Sequence, residues 1–536
     1  MEPDKLEQAL SDPFPIHDLR EILHEEEEQL KSLKSRGSIM LKKQRIALLQ
    51  SALAPIRHLP IEILTSIFEA YLDMRLGENT ITDKDYDQVH LYCLPPVLFL
   101  SQVCSQWRQV VDNCPTLWKR LRLFLGKRGG LPPVELVRTW LNRSGSLALE
   151  IDISKDLFSQ GKASIWDPHF LDCLVPFCER WRELKLELDF CMLKSFIERD
   201  ALNLPLLEVL RIGAGCIKRF RYIRAFQNAP RLRELDISSW GRKQSQWHQR
   251  FISSFGHNIS FHNLTSLQIH MGRNGASGSP SGYLRILSRC TKLEKCSLGI
   301  DDFDEHPLSL FHFTDVEPVT LASLKELDIS FCGDHGSPQL LNAFTFPSLR
   351  SLSLYVEDPC SPSLAAQRVP ILDILLRLQA RSRFPLERLE FLDMSDSIDT
   401  DGMLEFFKVV PSLERVELHN CVVDAHQLTK ALVVGKDLKK SLLPKLSYIN
   451  VSEYGEDNII DHGPRDDDHI ADMVESRCVA LSAKKAFHMK LPVFEVEFEI
   501  FRRHLREDVL DRLEDLEEEW DAVKLRIATS DGDDDE

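Results

Sequence analysis

One hydrophobic pattern dominates the chain: Leu-x-x-Leu-x-Leu, often introduced by proline. Clear copies are Pro205 to Ile212, Pro230 to Ile237, Leu324 to Ile329, Pro347 to Leu354 and Pro411 to Leu418. Weaker copies lie at Trp181 to Leu186, Leu264 to Ile269, Leu293 to Leu298, Leu386 to Phe391 and Leu446 to Ile449. In each, the last two apolar residues flank one polar residue, which predicts a short strand with its apolar side inward. Apolar runs at helical spacing lie between the strands: Phe170 to Phe177, Tyr283 to Leu287, Ile371 to Leu378 and Met403 to Val409. A lone strand and helix cannot bury such a face, whereas stacked copies can.

The repeat returns roughly every 25 to 37 residues, longer and less regular than the usual leucine-rich spacing. The expected fold is α/β: an irregular leucine-rich-repeat-like solenoid, parallel strands on its concave side and helices outside. The competing reading is an ordinary α/β domain with strand–helix alternation. In a solenoid the polar residue between the paired apolar ones faces the concave surface. Those positions are Lys185, Arg211, Asp236, Gln268, Ser297, Asp328, Ser353, Glu390, Glu417 and Asn450, with His270, Tyr355 and His419 two residues further along. Their mixed charges suit a protein ligand rather than a nucleic acid or a metal cage. Each is also explained as a solvated strand residue. Arg211, Arg388 and Arg415 would make a phosphate site only if the fold brought them together.

Before the repeats, Leu19, Leu23, Leu30 and Leu33 step along one side of a helix, and Ile46, Leu49 and Leu53 continue after Gly37. This predicts a helical arm, either a short coiled coil or a helix folded onto the domain behind it. Val134, Val137, Trp140 and Leu141 predict a helix, and the alternation from Leu147 to Ile153 a strand. At the other end, Val493 to Phe498 predict a strand. Phe501, Leu505, Val509, Leu513 and Leu516 predict a long helix that caps the open end of the solenoid.

A different pattern lies between the arm and the repeats. Leu59-Pro60 precedes an apolar helical face made by Ile63, Leu64, Ile67 and Phe68. After a polar stretch, Val103, Cys104 and Trp107 head a second face, and Pro115 starts a turn over Leu117 and Trp118. So small a unit carries more apolar surface than it can bury internally. Taken alone, the periodicity also fits a helical hairpin from a larger core. The full pattern, Leu-Pro-x-Glu-x-Leu-x-x-Ile-Phe, then Val-Cys-x-x-Trp-Arg, then Pro-x-Leu-Trp, resembles an F-box, and is similar to F-box proteins of mushroom-forming fungi. The resemblance implies docking on the Skp adaptor of a Skp–cullin–F-box ubiquitin ligase. It implies that Leu59, Pro60, Ile63, Leu64, Ile67 and Phe68 face the adaptor, with Val103, Cys104, Trp107, Leu117 and Trp118 sharing or supporting that surface. The polar run at about 75–94 is long for this position and is expected to be an inserted loop.

Composition changes little in this picture. The 536 residues are 43% hydrophobic, as in globular proteins. Net charge is −17, from 83 acidic and 66 basic residues, which argues against nucleic acid as main partner. No signal peptide and no membrane span is expected. Thirteen scattered cysteines fit reduced thiols in cytoplasm or nucleus. The sequons at Asn142, Asn258, Asn263 and Asn450 are then chance matches. There is no Gly-x-Ser-x-Gly elbow, phosphate loop or Cys-x-x-Cys pair, and Cys173 with Cys178 lacks a second half-site. Asp466-Asp467-Asp468-His469 alone builds no cage.

The expected domains are an arm (1–54), an F-box domain (55–125), a linker helix and first strand (126–155), the solenoid (156–490), a strand and capping helix (491–530) and an acidic tail (531–536). The expected role is a non-catalytic, cofactor-free substrate receptor, monomeric within a ligase complex and joined through the adaptor to a cullin. The alternatives are a repeat scaffold outside any ligase and an enzyme whose residues leave no motif.

Overall fold

The structure is a computed structural model. It describes residues 16–33, 35–77, 96–125, 132–155, 169–215, 224–240, 261–271, 280–300, 318–332, 338–357, 371–394, 398–421, 423–435, 441–452, 468–482, 494–499, 506–520 and 523–527. The inserted stretch, apart from its first residues, and the acidic tail therefore lie outside the described residues. Backbone contacts divide the chain into two units, residues 1–123 with 132–149, and residues 124–131 with 150–536.

The first unit opens with α1 (Ile16–Ser32) and α2 (Arg36–Ala52). They form an antiparallel hairpin closed by Leu19 and Leu49, with Ile22, Leu23 and Leu53 packed around them. Glu26, largely buried, accepts ion pairs from Lys42 at 2.5 Å and Arg45 at 3.2 Å. The arm is thus folded onto itself. Next come α3 (Ile61–Gly77), α4 (Pro96–Val103), α5 (Ser105–Asn113), strand β1 (Arg120–Leu125) and α6 (Val134–Arg143). Helix α3 starts one residue later than the proline suggests: Pro60 stands before it, its carbonyl accepting from Leu64 N–H at 3.0 Å. The 134–143 helix belongs to this unit. Its Trp140 meets Trp118 edge-on at 4.7 Å, and Arg143 lies over the Trp118 ring.

The second unit is built on strands β2 (Leu149–Lys155), β3 (Trp181–Asp189), β4 (Val209–Gly215), β5 (Glu234–Trp240), β6 (Ser266–Met271), β7 (Lys295–Ile300), β8 (Val319–Thr320), β9 (Glu326–Cys332), β10 (Phe344–Thr345), β11 (Ser351–Glu357), β12 (Arg388–Leu392), β13 (Arg415–His419), β14 (Tyr448–Ser452), β15 (Phe494–Glu499) and β16 (Val523–Ile527). The main sheet follows chain order, with β8 and β10 set aside as a small pair of their own. From β3 to β16 each strand pairs in parallel with its neighbours in the sheet. Crossover helices include α7 (Phe190–Ile197), α8 (Pro280–Leu287), α9 (Ile371–Ser382), α10 (Thr400–Val409), α11 (Ala425–Leu432), α12 (Asp468–Ser482) and α13 (Glu507–Glu519). This is the mixed α/β, parallel-strand repeat architecture expected from the sequence. No helix among the described residues is long and apolar enough to cross a membrane.

The repeat motif has a physical cause at each position. Its prolines sit second in a tight turn, where their fixed φ is favourable. Leu207 N–H donates to Leu204 O across Pro205, Leu232 to Ala229 across Pro230, Leu349 to Phe346 across Pro347, and Leu413 to Val410 across Pro411. The apolar residues at both ends of these turns are buried. One carbonyl per repeat then accepts two consecutive N–H groups of the next: Glu208 O takes Arg233 and Glu234, Lys325 O takes Arg350 and Ser351, and Glu414 O takes Ser447 and Tyr448. This junction sets the register before the strand begins.

Two expectations change. The run 170–180 is a 3-10 helix rather than an α-helix; Pro176 inside it removes an N–H donor. The C-terminal helix does not end the fold. It runs from Glu507 to Glu519 and connects β15 to a further parallel strand, β16. Phe501 and Leu505 lie outside the described residues.

Candidate functional site

The helices of the first unit sort their apolar residues into two sets. Leu64 and Phe68 are fully buried, as are Leu117 and Trp118, and Trp118 Nε1 donates to Val111 O at 2.7 Å. These residues form the core of the unit, which corrects the expectation that Leu64 and Phe68 face a partner. Ile63 and Ile67, one position earlier on each turn, keep 48% and 40% of their surface. Val103 on α4 keeps 59%. Ile61, Met74 and Phe99 are exposed as well, and the sequence-based set omitted them. Pro60 is exposed and Leu59 half-buried.

Cys104 and Trp107 have supporting places. Cys104 caps α5, its Sγ accepting from Trp107 N–H at 3.5 Å. The half-buried Trp107 ring lies 4.7 Å from Phe68. Arg108 Nε donates to Ser101 O at 3.0 Å, tying α5 to α4. Thr116 Oγ1 donates to Glu69 at 2.5 Å, tying the last turn to α3. Buried aromatics and these ties hold the exposed apolar residues on a rigid support.

The F-box-like family model matches residues 56–123, the span just described. The chain therefore carries an F-box-like domain, and domains of this kind typically bind Skp adaptors. No curated protein matches the chain.

In the second unit, backbone register places the expected polar positions in one row. Lys185 pairs with Arg211, Arg211 with Asp236, Asp236 with Gln268, Gln268 with Ser297 and Ser297 with Asp328. Asp328 pairs with Ser353, Ser353 with Glu390, Glu390 with Glu417 and Glu417 with Asn450. His270, Tyr355 and His419 lie two residues further along their strands; only the backbone of His270 is described. The row has basic residues at its β3–β4 end and acidic ones at β12–β13. Its members contact one another: Ser297 Oγ donates to Asp328 at 2.8 Å and Ser353 Oγ to Glu390 at 2.8 Å. Lys185 lies 3.3 Å from Glu187 and 3.8 Å from Asp152.

The arginine site does not form. Arg211 is on β4, paired with Glu234 at 3.5 Å. Arg388 and Arg415 are register partners on β12 and β13, and five strands separate them from β4 in the sheet order. Glu390, Glu417 and His419 converge, one donor atom from each lying within 4.8 Å of the other two. The sequence shows these residues in their rows but not their side chains meeting.

Proposed function

We propose that the F-box-like domain docks on a Skp-type adaptor, and through it a cullin, while the polar face of the repeat sheet holds a target protein for ubiquitin transfer. The observation that carries this reading is the exposed apolar set Ile61, Ile63, Ile67, Phe99 and Val103 on α3 and α4. Large apolar side chains exposed together on neighbouring helices suit a surface that a partner covers. The chain's own contribution to catalysis is then proximity: a bound target's lysines gain effective concentration near activated ubiquitin. Bond-making belongs to other subunits, and the chain needs no cofactor. Such a complex works in the cytoplasm or nucleus, with one copy of this chain per assembly.

The polar row supports the receptor half of this reading. Lys185, Arg211, Asp236, Gln268, Asp328, Tyr355, Glu390, Glu417 and His419 offer both charges and neutral donors along one face, which suits a protein surface of mixed polarity. The test is co-purification of the full chain with a purified Skp adaptor. Stoichiometric capture is the expected result. A folded chain that captures none overturns the ligase reading and leaves a repeat scaffold.

A further inference from the structure

The convergence of Glu390, Glu417 and His419 calls for an explanation. Glu390 and Glu417 stand directly opposite each other on β12 and β13. Like charges at a direct cross-strand position repel, so the pair needs positive charge nearby. Arg415 supplies some: its Nε donates to Glu417 Oε1 at 2.6 Å. That guanidinium is also held 3.7 Å from the centre of the Tyr448 ring. On its other side Glu417 faces an imidazole. His419 Nε2 lies 3.6 Å from Glu417 Oε2. This is too long for a hydrogen bond. It is close to the ~3.4 Å that separates two donors on a tetrahedral ion with bonds of ~2.0–2.1 Å.

We propose that Glu390, Glu417 and His419 form a binding site for a divalent transition ion of the zinc class. Imidazole with two carboxylates is a donor set that zinc accepts, whereas calcium and magnesium favour oxygen alone. One donor atom of Glu390 lies within 4.8 Å of a donor atom on each of the other two residues. The outer groups are in place. Ser353 Oγ holds one oxygen of Glu390 at 2.8 Å, and Arg415 holds one oxygen of Glu417. Hydrogen bonds of this kind orient metal ligands. Three protein donors leave a further coordination position for water or for a group on a bound partner. The site stands whether or not the F-box-like domain meets an adaptor.

The test is equilibrium dialysis of the metal-free full chain against buffered zinc, with bound metal counted by mass spectrometry. Wild type is expected to take up zinc that Glu390→Gln and His419→Gln lose, each with affinity lowered at least about tenfold. The control is His426→Gln, which alters a separate close histidine pair, His426 with His469 at 4.8 Å between ring centres, and is expected to bind as wild type. Cobalt(II) as a second probe separates this site from cysteine sulfurs, which would add a thiolate charge-transfer band in the near ultraviolet. The melting temperature of wild type with and without zinc gives a readout that needs no variant, and a rise is expected. Equal uptake by wild type and both variants, binding only at millimolar metal, a thiolate band, or loss in His426→Gln alone overturns the proposal.

Discussion

The separation of buried from exposed apolar residues on α3 makes a sharp prediction. Ile63 and Ile67 keep 48% and 40% of their surface, whereas Leu64 and Phe68 keep none. Burying a whole isoleucine side chain contributes about 1.5–3 kcal/mol. Covering the exposed half of each therefore contributes about 1 kcal/mol to docking, or about 2 kcal/mol for both. The double variant Ile63→Ala, Ile67→Ala should weaken adaptor binding about 30-fold. Its folding should lose no more than about 2 kcal/mol, from the half of each side chain that is already packed. Leu64→Ala and Phe68→Ala should do the reverse, costing about 2–5 kcal/mol of folding free energy through the cavities they leave. Titration calorimetry against the adaptor, beside a thermal melt of each variant, reads both quantities. A folded double variant that binds as tightly as wild type refutes the assignment of this face.

Three further outcomes follow from the second unit. Arg477 on α12 is 3% exposed and donates to the carbonyls of Leu432, Leu442 and Leu443, with burial lowering its pKa to about 10. Arg477→Met leaves those carbonyls unpaired and should cost about 3 kcal/mol, seen as faster amide exchange across 468–482; unchanged exchange would refute the staple. Gly402→Ala should destabilise α10 despite alanine's better propensity, because the new Cβ would stand 2.8 Å from Leu372 Cδ1 and 2.9 Å from the capping oxygen of Asp399; a raised melting temperature would show that Leu372 yields. Burial pushes Cys290 and Cys421 up to about 12 and Cys296 well above its usual value, while Cys191 is exposed. At pH 8 only Cys191 of these should be alkylated in the folded chain. A folded pKa above the unfolded one means stability present below pH 9.0 and lost as pH rises toward about 12, so alkaline titration should weaken the fold over that window.

The repeat sheet was legible because its signal is local: a leucine and an alternating triplet recur from copy to copy, often behind a proline turn. The strands that escaped notice had a signal too. Arg120 to Leu123 and Val523 to Ile527 alternate strictly, but the first follows a proline turn that reads as part of the preceding helical unit, and the second has no such turn. Helices α7 and α11 are short enough that their apolar positions pass for loop residues. The exposed apolar face of the first unit was legible only as a face. Helical periodicity groups Ile63 with Leu64 and Ile67 with Phe68, and only packing against Trp107 and the last turn decides which of each pair is core. The Glu390, Glu417 and His419 cluster is non-local: the register was foreseeable, while convergence depends on rotamers held by Ser353 and Arg415.

The junction between repeats also explains how an irregular spacing yields a regular row. Each strand is registered by the carbonyl just before the preceding strand, as when Arg350 O takes Glu387 and Arg388, and Glu387 O takes Glu414 and Arg415. Whatever the chain does between the end of one strand and the next turn leaves that register untouched. Insertions therefore change the crossovers and not the row. The apolar residues flanking each row position, such as Leu389 with Phe391 and Val416 with Leu418, are buried and fix the fold. The residue between them is set by neither packing nor ladder hydrogen bonds. Its chemistry is free to vary copy by copy, from Lys185 at one end to Glu417 near the other. A receptor needs that independence, since its binding face can then change while its folding pattern stays the same.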